Sequence, residues 1–117
     1  MQTQTTAATT AYKVLTAADW AALEAGTFVG TPVDLADGFI HLSTAAQVTE
    51  TVDRHFCGQT GLIVAAIDLS SFGDAIRWEP SRRGQLFPHL YAPLSPRFVL
   101  AWGPLERHAD GAVHLPA

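Results

Sequence analysis

The chain has 117 residues, of which 48% are hydrophobic and 15% charged, with a formal net charge of −4 and a pI near 5.6. This is the composition of one folded domain and not of a disordered segment. The acidity disfavours general binding to DNA or to an acidic membrane, because both need a clustered positive field.

The first eleven residues, "MQTQTTAATTA", lack the charged and apolar regions of a signal peptide and read as a flexible tail, which leaves 12–117 as a single globular domain. "YKVLT" (12–16) predicts a first strand. Thr16 and Asp19 have capping-box spacing ahead of the short helix "AADWAALEA", and Gly26 ends it. "TFVGTPVD" reads as irregular, since Gly30 and Pro32 break a regular element. "GFIHL" predicts a second strand. Thr44 and Gln47 then repeat the box before the helix "AAQVTETVDRHF", whose Val48, Val52, His55 and Phe56 recur at helical spacing. Cys57, just past this helix, reads as a small apolar filler. As the one cysteine, it excludes an intramolecular disulfide and suits a reducing compartment, so a cytoplasmic location is expected.

"LIVAAIDL" (62–69) is the strongest strand signal; a continuous apolar run of this length predicts a central strand buried on both faces. "AIRWE" (75–79) alternates as a strand, "PSRRGQLFP" reads as a loop, "HLYAPL" as a short extended segment, and "RFVLAWGPLE" (97–106) as the last strand. Two main helices placed early and strands placed late indicate an α+β fold with a mixed sheet. No Walker loop or G-x-G-x-x-G motif is present.

Two motifs carry chemistry. In "DGFIHLST" (37–44), His41 ends a strand, with Ser43 and Thr44 directly after it and a helix N-terminus beside it, where free N–H groups favour an anion. In "RWEPSRRGQLFPHLY" (77–91), Trp78, Glu79, Arg82, Arg83 and His89 supply an aromatic for stacking, an acid, two guanidiniums able to grip phosphate, and an imidazole. A zinc site built from His41, His55 and His89 matches no metal-ligand spacing, and a hydrolase using Ser43 or Ser81 lacks the G-x-S-x-G elbow. If His41 lines a cleft, His41→Ala should abolish ligand binding and leave the fold largely intact.

The segments "YKVLTAADW", "DGFIHLSTAAQV" and "RWEPSRRGQLFPHLYAPL", in this order, resemble the bacterial family called domain of unknown function 952, over nearly all of residues 12–106. The resemblance implies an ADP-ribosyltransferase-like fold, in which a split, mixed sheet surrounds an NAD cleft. "IHLS" (40–43) is also similar to the H-x-H-L-S motif of the NAD-dependent RNA 2′-phosphotransferases. Carried over, His41 and Ser43 line the nicotinamide-ribose side of that cleft, and His89 stands for the variable residue of the third motif. Lys13 is the residue nearest the NAD-gripping histidine or arginine of the first strand, and the transferase-type glutamate is absent. Two functions follow as expectations. One is an enzyme that binds NAD or a related nucleotide and cleaves or transfers ADP-ribose. Its catalytic residues are Glu79 and His89, its ligand contacts are His41, Ser43, Trp78 and Arg83, and it takes no metal. The other is a module that binds a nucleotide or small metabolite without turnover.

Overall fold

The structure, a computed structural model, describes residues 9–116. Its strands are β1 (Thr10–Leu15), β2 (Ile40–His41), β3 (Ile63–Asp68), β4 (Ile76–Pro80), β5 (Leu86–Leu90) and β6 (Val99–Pro104), and its α-helices are α1 (Ala17–Ala25), α2 (Pro32–Asp37) and α3 (Val48–His55). β1 starts at Thr10, two residues earlier than "YKVLT" implies.

The strands form two three-stranded sheets, β1-β3-β6 and β2-β5-β4. Every strand pairing in them is antiparallel, which corrects the expected mixed sheet. A parallel pair needs a crossover that returns to the same sheet. Here α1 and α2 lead from β1 to β2, and α3 leads from β2 to β3, so each helical connection changes sheet. One further bridge, Tyr12 with Ser43, ties the two sheets together through reciprocal N–H to C=O bonds of 2.7 and 2.9 Å.

β3 is central, and its Val64, Ala65, Ala66 and Ile67 are all buried. Side chains alternate along a strand, so this apolar run feeds two cores. Ala65 and Ile67 join Ala11, Leu15 and the α1 residues Trp20 and Leu23. Val64 and Ala66 join Tyr12, Val14 and the α3 residues Val48 and Val52. Lys13 shares the face of Ala11 and Leu15 and is buried there.

α2 corrects the irregular reading of 27–34. Thr31 is its N-cap, accepting from the Asp34 N–H, while the Asp34 carboxylate accepts from the Thr31 N–H. Pro32 occupies the first turn, where its missing N–H costs nothing. α3 begins at Val48, three residues after the expected start. Half of its predicted box forms: the Gln47 side-chain oxygen accepts from the Thr44 N–H, while the Gln47 amide donates to the Leu86 carbonyl and clamps α3 to β5. β5 also begins inside the expected loop, with the buried Pro88 at its centre. The Pro88 carbonyl accepts from the Leu42 N–H, so Pro88 turns its donorless nitrogen toward the two-residue β2, away from its longer pairing with β4.

Candidate functional site

The polar face of the β2-β5-β4 sheet follows from register. His41 pairs with His89, and His89 pairs with Arg77, while Glu79 pairs with Phe87. Directly opposed residues point to the same side, so His41, His89, Arg77, Glu79 and Phe87 share one face. The imidazoles of His41 and His89 lie with ring centroids 5.6 Å apart. Phe39 stacks on His89 at 4.0 Å and also touches the rings of His41 and Tyr91, at 4.5 and 5.2 Å.

Each imidazole is oriented by a carboxylate. His89 Nδ1 donates to Glu79 Oε1 over 2.7 Å, and the Tyr91 hydroxyl donates to the same oxygen, also over 2.7 Å. With Nδ1–H committed, Nε2 is the nitrogen left to accept a proton or a ligand hydrogen bond. The His89 bond first, and then the Tyr91 bond, hold the Glu79 carboxyl below its ordinary range, and the Arg77 charge adds to this. The Glu79 bond in turn pushes the Tyr91 phenol up. Arg77 lies over the Tyr91 ring at 4.4 Å.

His41 Nδ1 meets Asp34 Oδ1 at 2.7 Å, and Nε2 meets Asp37 Oδ2 at 2.9 Å. Beneath it is a buried ion pair. Lys13 Nζ lies 3.1 Å from Asp34 Oδ1 and 3.0 Å from Oδ2, and donates to the His41 carbonyl over 2.8 Å. Burial opposes the charge on Asp34. The His41 side-chain bond, the Lys13 ammonium and the backbone N–H groups of His41 and Thr31 together outweigh it and hold the carboxyl well below the usual carboxylate range. Burial also pushes the Lys13 ammonium down, against the pull of Asp34. The ammonium has three close acceptor atoms and is saturated, so Lys13 supports His41 from below and is not a free ligand grip.

The other expected contacts divide. Ser43 is buried, and its hydroxyl shares a 3.0 Å hydrogen bond with Thr51 on α3. Trp78 pairs with Pro88 on the opposite face of the sheet and packs on the α1-side core, whereas the rings beside the histidines are those of Phe39 and Tyr91. Arg83 is 75% exposed, and its nearest ion-pair partner, Glu50, is 3.7 Å away. Its neighbour Arg82 is only 14% exposed, donates to the Thr51 hydroxyl over 3.3 Å, and lies over the Phe87 ring. Asp34, which anchors His41, and Phe39, which stacks on His89, are the parts of the site that the motif reading passed over. Among the described residues, no group of three or more His, Cys, Asp or Glu side chains is arranged to hold a metal ion. No described helix is long and apolar enough to cross a membrane.

Beside Phe39 and Tyr91 opens a groove of about 410 Å³, lined also by Phe28, Val29, Asp34 and Leu35. This volume lies in the range of small-molecule sites, and apolar walls with a few polar groups are usual there.

Because His41 bonds directly to the buried Asp34, the expectation that His41→Ala leaves the fold largely intact changes. The substitution removes one of the bonds that saturate Asp34 and should cost roughly 1–3 kcal/mol, measurable as a lower urea midpoint with an unchanged slope.

The family model described as a protein of unknown function (DUF952) matches residues 14–102. The chain belongs to the DUF952 family. The crystal structure of protein CC0527 from Caulobacter crescentus is similar to this DUF952 chain, with 45% sequence identity and a TM-score of 0.81 over 91% of this chain and 94% of that one. The solution structure of CC0527 is similar too, at 45% identity and a TM-score of 0.76, covering 91% of each chain. Among curated proteins, none matches this DUF952 chain.

Proposed function

We propose that the polar face of the β2-β5-β4 sheet binds NAD or a related nucleotide, and that its chemistry is cleavage or transfer of the ADP-ribosyl group. The observation that carries this reading is the pair of histidines in register, each oriented by a carboxylate, beside Phe39, whose ring also lines the groove. The groove between Phe39, Tyr91 and Phe28 suits a planar ring such as nicotinamide or adenine. The resemblance of "IHLS" and of the "LFPHLY" segment to nucleotide-handling motifs of the ADP-ribosyltransferase fold supports the same ligand class.

In the hydrolytic form of this reaction, the bond between the ribose C1′ and the nicotinamide nitrogen breaks, and its electron pair leaves with nicotinamide. Water adds to C1′ and gives up a proton. His89 Nε2 is the proton acceptor suited to this step, because Glu79 fixes the ring with its proton on Nδ1. Glu79 therefore acts as a positioning residue. A second reading, a module that binds the nucleotide without turnover, is favoured by one observation: Glu79 Oε1 is taken up by both His89 and Tyr91, which leaves a single carboxylate oxygen for a cationic ribose.

The test is a thermal melt with NAD, ADP-ribose and ATP, followed by an assay for released nicotinamide. With a dissociation constant of about 1 mM and ligand at about 5 mM, the folded state gains roughly 1 kcal/mol, or roughly 4–8 °C in midpoint for a domain near this size. NAD and ADP-ribose should shift the midpoint more than ATP does. A flat profile with all three rejects the nucleotide reading, and a shift without nicotinamide release selects the binding module.

A further inference from the structure

One side chain next to this face is left incompletely bonded. Arg82 is held on three sides: its Nη2 by the Thr51 hydroxyl, its guanidinium plane by the Phe87 ring at 5.1 Å, and its Nη1 near Glu50. Yet Nη1 is buried without a hydrogen-bond partner, because Glu50 Oε1, 3.3 Å away, is not aligned to accept from it. A buried guanidinium N–H without an acceptor is costly, and such groups call for an explanation. Arg82 also lines a cavity of about 280 Å³, together with Glu50, Arg83, Gly84 and Gln85.

The charges around this cavity do not balance. Glu50 is the one carboxylate shared by three guanidiniums: Arg54 Nε at 3.3 Å, Arg82 Nη1 at 3.3 Å and Arg83 Nη1 at 3.7 Å. Well-formed bonds between guanidinium and carboxylate are about 2.7–2.9 Å long, so Glu50 satisfies none of the three closely. The backbone holds the arrangement in place. Arg83 takes a left-handed conformation at φ 57°, uncommon for a residue with a side chain, and the adjacent turn is closed by bonds from Gly84 N–H to Ser81 and from Gln85 N–H to Arg82. Glu50 is itself held below the ordinary carboxylate range, by the Arg54 bond first and then by the Arg82 and Arg83 charges, so it occupies the place of an anion at neutral pH.

We propose that Arg82 and Arg83 form a phosphate-binding subsite, and that Glu50 occupies it until a phosphate or diphosphate group displaces it toward Arg54. A multiply charged anion suits the excess of guanidinium charge better than one carboxylate does, and its several acceptor oxygens can reach the unpartnered Arg82 Nη1. The Ser43–Thr51–Arg82 hydroxyl chain connects this subsite to the strand end that carries His41. The inference takes the identity of the ligand's other half from the nucleotide reading, whereas the anion contact stands on its own.

The probe is inorganic pyrophosphate, titrated calorimetrically into the full chain at constant ionic strength, with chloride as the reference anion. The wild-type protein should bind pyrophosphate in preference to chloride. Arg82→Met keeps the packing on Phe87 and should weaken binding roughly ten- to hundredfold. Glu50→Gln removes the competing charge and should tighten binding roughly three- to tenfold. Arg97→Ala, a change outside the cavity, should have no effect. Should Arg82→Met fail to fold, Arg83→Ala at its exposed position carries the test, with a loss of roughly threefold or more. No preference for pyrophosphate over chloride, or weaker binding by Glu50→Gln, overturns the subsite. Pyrophosphate binding without ADP-ribose binding overturns the nucleotide reading and supports the subsite. ADP-ribose binding that is indifferent to Arg82, Arg83 and Glu50 overturns the subsite and supports the nucleotide reading.

Discussion

Asp34→Ala should destabilise the fold by about 3–5 kcal/mol, the usual cost of removing one partner from a buried ion pair. Asp34 is 3% exposed, and both its oxygens are engaged. Oδ1 takes the His41 ring at 2.7 Å, the His41 N–H at 3.0 Å and Lys13 at 3.1 Å, while Oδ2 takes the Thr31 N–H at 2.9 Å and Lys13 at 3.0 Å. Alanine leaves the Lys13 ammonium buried with the His41 carbonyl as its remaining acceptor, and it also removes half of the α2 capping box. In a domain near this size the loss should lower the melting midpoint by on the order of 15 °C or more. A midpoint within a few degrees of wild type contradicts this account of the pair.

The pair also sets an acid limit. The folded-state pKa of Asp34 lies below its unfolded value, so its contribution is fully present above the unfolded pKa of about 3.9 and is lost as pH falls toward the folded value. Stability measured by urea unfolding should therefore decline below about pH 4. Asp34→Asn should start lower and show a shallower decline over the same window. An unchanged slope in the variant assigns the acid limb to other carboxylates.

Gly30→Ala should cost roughly 2–4 kcal/mol, combining an unfavourable backbone with crowding. Gly30 has φ 131°, a conformation that side-chain-bearing residues rarely adopt, and an added Cβ lies 3.0 Å from the Asp34 Cβ. The exposed Leu35 side chain, at 3.5 Å, can move aside, but Asp34 is held by its donors and cannot. The substitution should therefore also disturb His41 and weaken whatever the groove binds. Gly26→Ala is the matched comparison. It has φ 79° with nothing within 4 Å, and it should cost only about 1 kcal/mol. Equal melting midpoints for the two variants remove the crowding argument.

Much of the candidate site was legible because it rests on local pattern. The strand "GFIHL" ahead of a helix and the imidazole in "LFPHLY" mark the two chain segments that meet at the His41–His89 pair. Trp78 and Glu79 cannot serve one site, because neighbours on a strand point to opposite faces: Trp78 packs against the core while Glu79 bonds to His89. At 32–37 the breaker signal of Gly30 and Pro32 hides a helix, although proline in the first turn after Thr31, with Asp34 three residues past that cap, is a helix-start signal.

The sequence by itself determined the α+β class, the buried central position of "LIVAAIDL", the capped start of α1 and the family membership of residues 14–102. These rest on periodicity, capping chemistry and motif, all readable within a short window. Tertiary structure alone decided that all strand pairings in the two sheets are antiparallel and that Lys13 is a buried partner of Asp34, 21 residues away. It also decided that Arg82 is enclosed while its neighbour Arg83 is open to solvent. The physical reason is the same in each case. Strand direction follows from which sheet a connection returns to, and burial follows from what packs over a side chain. Neither is encoded in the residues flanking that position.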